Sequence, residues 1–191
     1  MHEALEHHEH AEHAAHEGSK RAALLVAVLA ALLAICEEGA KNSEIRVQEN
    51  SIAAADAWSQ YQAKSVRATI SRDLAELLAT LDPPQTAEAA SKRADVIKQL
   101  RADEAHYEHA PGDSKDVISV RAHSFEAARD YALEQTHTFD KGTAAFELGI
   151  VLATASAITV SGPLFIGAVG VGVAGAVLGL LGLLAPGLAA F

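Results

Sequence analysis

The sequence predicts an all-α protein: three transmembrane helices, with a long, coiled-coil-like extramembrane helical hairpin between the first and second. Three observations carry this reading. After Glu147 the last 44 of 191 residues contain no Lys, Arg, Asp, Glu or His, and such a stretch cannot form the surface of a water-soluble domain. A second uncharged run, Ala22 to Cys36, lies near the start. The residues between these regions are rich in Ala, Glu, Arg, Lys, Leu and Gln, which are strong helix formers, and no strand-like alternation competes with them. The 25 acidic and 15 basic residues give a net charge of −10. Nucleic acid is therefore not expected as a partner, because neutralising phosphates takes clustered cations.

Residues 1–19 form a His/Glu-rich segment expected to be helical. His7, His10, His13 and His16 recur every third residue, so adjacent imidazoles would be neighbours on a helix and could chelate Zn, Ni or Cu. Glu3, Glu6, Glu9 and Glu12 each precede one of these histidines by four. The same spacing gives helix-stabilising Glu–His pairs of a few tenths of a kcal/mol, and imidazoles titrate near pH 6.5. A surface helix, a metal site and a pH sensor all fit this pattern. No cofactor is certain.

Residues 20–40 are the first expected span. Its fifteen uncharged residues rise about 22 Å, short of a hydrocarbon core of about 30 Å. Lys20 and Arg21 can snorkel at one end, and Gly39-Ala40 extend the other. The long polar leader and the absence of a small-x-small cleavage pattern lead us to expect a retained anchor rather than a signal peptide. Cys36 is the only cysteine, so no intramolecular disulfide is expected.

Residues 41–141 form the expected hairpin. Val66, Ile70, Leu74, Leu77 and Leu81 mark one helix face. Ile118, Phe125, Ala132, Phe139 and Phe146 recur every seven residues, as in helix-on-helix packing of coiled-coil type. Trp58 and Tyr61, one turn apart, join Ile118, Phe125 and Phe139 as expected packing residues. Asp82-Pro83-Pro84-Gln85 punctuates the chain, with Asp82 as N-cap and Pro83 in the first helical position. Ala110-Pro111-Gly112-Asp113 makes a second break, capped by Asp113 or Ser114. From Glu38 to Leu81 a helix rises roughly 65 Å, and from Pro83 to Gly142 roughly 90 Å if straight. The last helix must return to the membrane, so residues 82–86 are the tip and 110–113 an offset in the return leg.

The second span is expected at 142–160, with Glu147 about one turn inside it. Ionisable groups in a span are costly and are functional candidates. The third span, 164–186, is followed by a tail at 187–191. Ser161-Gly162-Pro163 is expected to force a tight turn between these two spans. Gly175 and Gly179 form a GxxxG pair, and Ala168, Gly172 and Ala176 a small-residue row beside it, so Gly172, Gly175, Ala176 and Gly179 are expected to pack helices closely.

Several stretches together resemble the bacterial membrane family catalogued as domain of unknown function 4337. They are the Met1–His16 opening, Lys20-Arg21 before the Ala/Leu span, Trp58-Ser-Gln-Tyr-Gln-Ala-Lys-Ser-Val-Arg67 and Phe146-Glu-Leu-Gly-Ile-Val-Leu-Ala-Thr-Ala-Ser-Ala-Ile-Thr159. The resemblance implies a small bacterial inner-membrane protein and brings no activity. No nucleophile elbow or phosphate loop occurs, and no enzyme is expected. The expected partners are the lipid bilayer and either further copies of the chain, forming a homo-oligomer, or a larger membrane complex. Lys20-Arg21 before the first span and Glu37-Glu38 after it favour a cytoplasmic N-terminus and a periplasmic hairpin, while Lys41, Arg46, Arg129 and Lys141 on the other side pull the opposite way.

Overall fold

The computed structural model describes the backbone of residues 2–189 and the side chains of residues 18–188. Within them lie α1 (His2–Thr80), α2 (Ala87–His109), α3 (Lys115–Thr159), α4 (Gly162–Leu184) and a 3-10 turn, Pro186–Ala189. There is no strand among the described residues. Three helices, α1, α3 and α4, are long and apolar enough to cross a membrane.

The helix ends follow local chemistry, with two departures from the sequence-based expectation. Thr86, not Asp82, caps α2: its side chain accepts from the Ala89 N–H at 3.2 Å. The reason lies in the Pro-Pro pair, because Pro84 disfavours the helical region for Pro83. The next hydroxyl, Thr86, has an extended backbone with φ of −119° and ψ of 146° and takes the cap instead. At the second break Ser114 takes the cap, accepting from the Val117 N–H at 3.3 Å. Asp113 is thereby left for Lys64, and Gly112 supplies a positive φ of 76°.

The second departure is the turn before α4. Gly162 and Pro163 already belong to the helix, with Pro163 in its first turn, where its missing N–H costs nothing. The reversal falls on Val160 and Ser161. Val160 has φ of 51°, a left-handed conformation that β-branched residues rarely adopt. Ser156 Oγ donates to the Ser161 carbonyl at 3.1 Å and helps to hold the turn.

The chain divides into two compact units: residues up to 47 together with 130 onward, and residues 48–129. The core of the first comprises Leu29, Cys36 and Ala40 of α1 with Phe139 and Phe146 of α3, and Ala176 of α4 packs against it. In the second, Ala57 of α1 packs with Ile118 and Ala122 of α3, flanked by Trp58, Tyr61 and Phe125. There α2 buries nothing completely. Its half-buried residues are Arg93, Ile97, Leu100, Asp103, Glu104, Tyr107 and Glu108, which cluster on one side of the helix.

Replacing Val160 by Gly removes the left-handed penalty at a side chain that is more than half exposed. Thermal unfolding in detergent should show Val160→Gly stabilised by about 1 kcal/mol. A destabilised variant would mean that the Val160 side chain holds the turn.

Candidate functional site

The first unit is assembled by large side chains entering glycine notches. Along α4, Ala168, Gly172, Gly175 and Gly182 are buried and Gly179 half-buried, so one face of that helix has almost no side chains. α3 adds Gly142 and Gly149, seven residues apart and both buried. A Cβ at Gly172 would stand 2.6 Å from Leu29 Cδ2, and one at Gly149 would stand 3.1 Å from Leu29 Cδ1. One at Gly179 would meet Cys36 Sγ at 2.9 Å, and at Gly142 the same sulfur is 3.5 Å away. A Cβ at Gly175 would touch the Phe146 ring at 3.1 Å. At Gly39 and Gly182 it would meet the Phe139 ring, at 2.8 Å and 3.2 Å.

Gly172, Gly175, Ala176 and Gly179 are therefore on a face filled from within the same chain. Phe139 lies in this first unit, apart from the cluster of Trp58, Tyr61, Ile118 and Phe125 in the second. Polar groups finish the end of the bundle. Gln135 Nε2 donates to the Gly182 carbonyl at 3.1 Å, and Thr138 Oγ1 to the Glu134 carbonyl at 2.8 Å.

In the second unit Trp58 Nε1 donates to Glu126 Oε1 at 2.9 Å, while His123 Nδ1 lies 2.9 Å from Glu126 Oε2. The indole and imidazole rings meet edge-on, and Tyr61 meets Trp58 the same way. Lys64 Nζ donates to both the carbonyl and the carboxylate of Asp113, at 2.6 and 2.5 Å. The indole bond, followed by His123, holds the Glu126 carboxyl below its ordinary range. The Lys64 bond does the same for Asp113.

The row Val66, Ile70, Leu74, Leu77 and Leu81 is exposed throughout. The inward side of the same stretch is Ala68, Ser71 and Ala75. Sequence reasoning took the large side chains and missed the small ones. The signal that could have found Ala68 and Ala75 is the seven-residue row Ala54, Tyr61, Ala68 and Ala75, small at every position but Tyr61.

Helix register also moves Glu147. Counted from Gly142 it lies just over one turn into the span. Yet Leu29, the midpoint of the uncharged run Ala22 to Cys36, packs against Gly149, and Phe146 packs against Gly175 near the middle of Leu164 to Ala185. Glu147 is thus within about 3 Å of rise of the midpoint of the neighbouring apolar helix, and it is exposed. The side chains of His7, His10, His13 and His16 lie outside the described residues. Among the described residues no three His, Cys, Asp or Glu side chains gather where they could hold a metal ion.

The family described as domain of unknown function (DUF4337) matches residues 18–185. The chain belongs to that family. In this family member the match covers all the glycine notches and the Trp58–Glu126 contact, and it begins after the His/Glu-rich opening. No curated protein and no solved structure matches the chain.

The notches give a graded prediction. Gly39→Ala drives a methyl into a rigid ring and should cost about 1–3 kcal/mol in detergent unfolding. Gly170→Ala, with nothing within 4 Å, should be neutral or up to about 1 kcal/mol stabilising. Equal effects at the two sites would contradict the packing.

The carboxylates give a pH prediction. Both folded-state values are depressed, so the stability they contribute is present above the unfolded values, near pH 4, and lost as pH falls through the folded ones. Trp58 is the only tryptophan. Its emission should shift as pH falls below about 4. Glu126→Gln should flatten the response, and an unchanged shift in that variant would detach it from Glu126.

Proposed function

We propose that this chain is an integral membrane structural or accessory protein that self-associates or attaches to a larger membrane complex. The observation that carries the reading is the outward surface of the first unit. Ile158, Ile166 and Leu184 are 78%, 72% and 75% exposed, and Leu24, Val28, Ile35, Val173, Val177, Leu180 and Leu183 also face outward. A contiguous apolar surface of this kind on helices of spanning length needs lipid or another protein.

The bacterial inner membrane is the location that the sequence's resemblance implies, and three helices long and apolar enough to cross a bilayer are compatible with it. Lys20-Arg21 and Glu37-Glu38 flank the first span in the sense of a cytoplasmic N-terminus, which leaves residues 41–141 in the periplasm. The pairing of Trp58 with Glu126, of Lys64 with Asp113, and of Arg93 Nη1 with the Asp82 carbonyl at 2.9 Å supports a coiled-coil-like helical hairpin for that segment, with its tip at 82–86. In this reading the hairpin presents the Val66–Leu81 row for attachment, and the role is one of assembly rather than catalysis.

The test is purification from the native membrane in mild detergent, followed by native mass measurement and metal analysis. The reading expects a discrete oligomer or a complex of fixed composition, unchanged when residues 1–17 are deleted. A monomer carrying stoichiometric tight metal lost with that deletion would replace it with a metal-binding role for the His/Glu segment. A polypeptide soluble without detergent would remove the membrane assignment.

A further inference from the structure

The register of the bundle puts a carboxylate where lipid should be. Among the described residues no hydrogen bond or ion pair engages Glu147 within the chain. α4 has no titratable side chain from Gly162 to Leu184, and α1 has only the Cys36 thiol from Ala22 to Cys36. The nearest charged residues on α3 itself are Lys141 and Asp140, about 9–10 Å of rise away. An ionisable side chain at this depth belongs against protein or in a cavity, not against hydrocarbon.

We propose that the face of α3 carrying Ala144, Glu147, Val151 and Thr154 docks a second copy of this chain, with the two Glu147 side chains meeting across a two-fold axis along the membrane normal. The proposal rests on the membrane reading above and names the contact through which the chain would self-associate.

Three features select a second copy. First, copies inserted in the same sense meet at equal depth about such an axis, so Glu147 faces its own counterpart. Second, two carboxyl groups that share one proton have between them a donor and free acceptors, so the counterpart of Glu147 can satisfy it without any cation. Third, the buried glycine notches of α4 are already filled by Leu29, Cys36, Phe139 and Phe146, so they are not open to a partner. The docking face has small side chains beside Glu147. Ala144 and Thr154 are exposed, as is Val151, and Thr154 Oγ1 is satisfied by the Ile150 carbonyl at 2.8 Å. Bulk does not oppose approach, and the unpaired Thr143 Oγ1, four residues before Glu147, is buried rather than presented to a partner.

The experiment measures the monomer–dimer equilibrium of the full chain in detergent for wild type, Glu147→Gln and Glu147→Leu, with helical content and unfolding temperature as folding controls. Glutamine keeps a donor and an acceptor, and leucine keeps neither. Glu147→Gln should dimerise like wild type, and Glu147→Leu should weaken the dimer by about tenfold, the worth of such a contact between membrane helices. Ala144→Cys and Val151→Cys should form disulfide-linked dimers, and Val173→Cys on the outer face of α4 should not. A wild-type dimer unaffected by Glu147→Leu, or cross-linked through Val173→Cys instead, overturns the docking face and leaves the proposed function standing. Loss of association in Glu147→Gln and Glu147→Leu alike, with a second polypeptide in the wild-type complex, overturns the second copy in favour of a foreign basic helix. A wild-type protein that is monomeric and alone at all concentrations overturns both this inference and self-association.

Discussion

The close packing of α4 in the first unit depends on the fit of four side chains into glycine notches. Leu29 and Cys36 from α1, and Phe139 and Phe146 from α3, occupy the space that Cβ atoms on Gly172, Gly179, Gly182 and Gly175 would take. Between helices surrounded by lipid, the hydrophobic effect does not favour helix over acyl chain. What remains is dispersion, worth about 0.1–0.2 kcal/mol per atom pair and steeply dependent on distance. Glycine is the residue that allows enough pairs to come within range. It loses more conformational freedom than alanine on forming a helix, so a run of glycines in α4 is tolerable only where close packing offsets that loss.

The same constraint explains the distribution of the large apolar residues. In both units they sit outside as often as inside, whereas alanine, glycine and serine line the seams. Ala22, Ala68 and Ala75 are buried, while Leu24, Ile70 and Leu77 are exposed. A water-soluble bundle would reverse that order. In the first unit the reversal fits a lipid surround. In the second, the Val66–Leu81 row is exposed, and under the proposed function it is the attachment surface. Glu147 is the exception on the outer face of the first unit, a polar group on an apolar surface, and its depth follows from the notches because they set the register of α3 against α1 and α4.

Much of this was legible in the residues. The loss of charge after Glu147 marked the last two apolar helices, and the seven-residue row from Ile118 to Phe146 picked the inward side of α3, where Ile118, Ala132, Phe139 and Phe146 are buried and Phe125 half-buried. The small-residue face of α4 was visible as GxxxG. Three things were not. The inward stripe of α1 is alanine and serine, whose weak hydropathy is masked by neighbouring Val66, Ile70 and Leu74. The cap of α2 moved to Thr86 because two prolines in series act on each other as well as on the helix. The depth of Glu147 could not be counted from its own helix, since the offset between α3 and α1 is fixed by contacts such as Leu29 with Gly149.

The register is therefore the quantity to measure. In lipid bilayers, nuclear Overhauser contacts from the Leu29 methyl groups should reach the α-protons of Gly149 and Gly172 together. Leu29 methyl groups that contact only lipid acyl chains, or glycines elsewhere in α3 and α4, would contradict the notched packing and the depth of Glu147 with it.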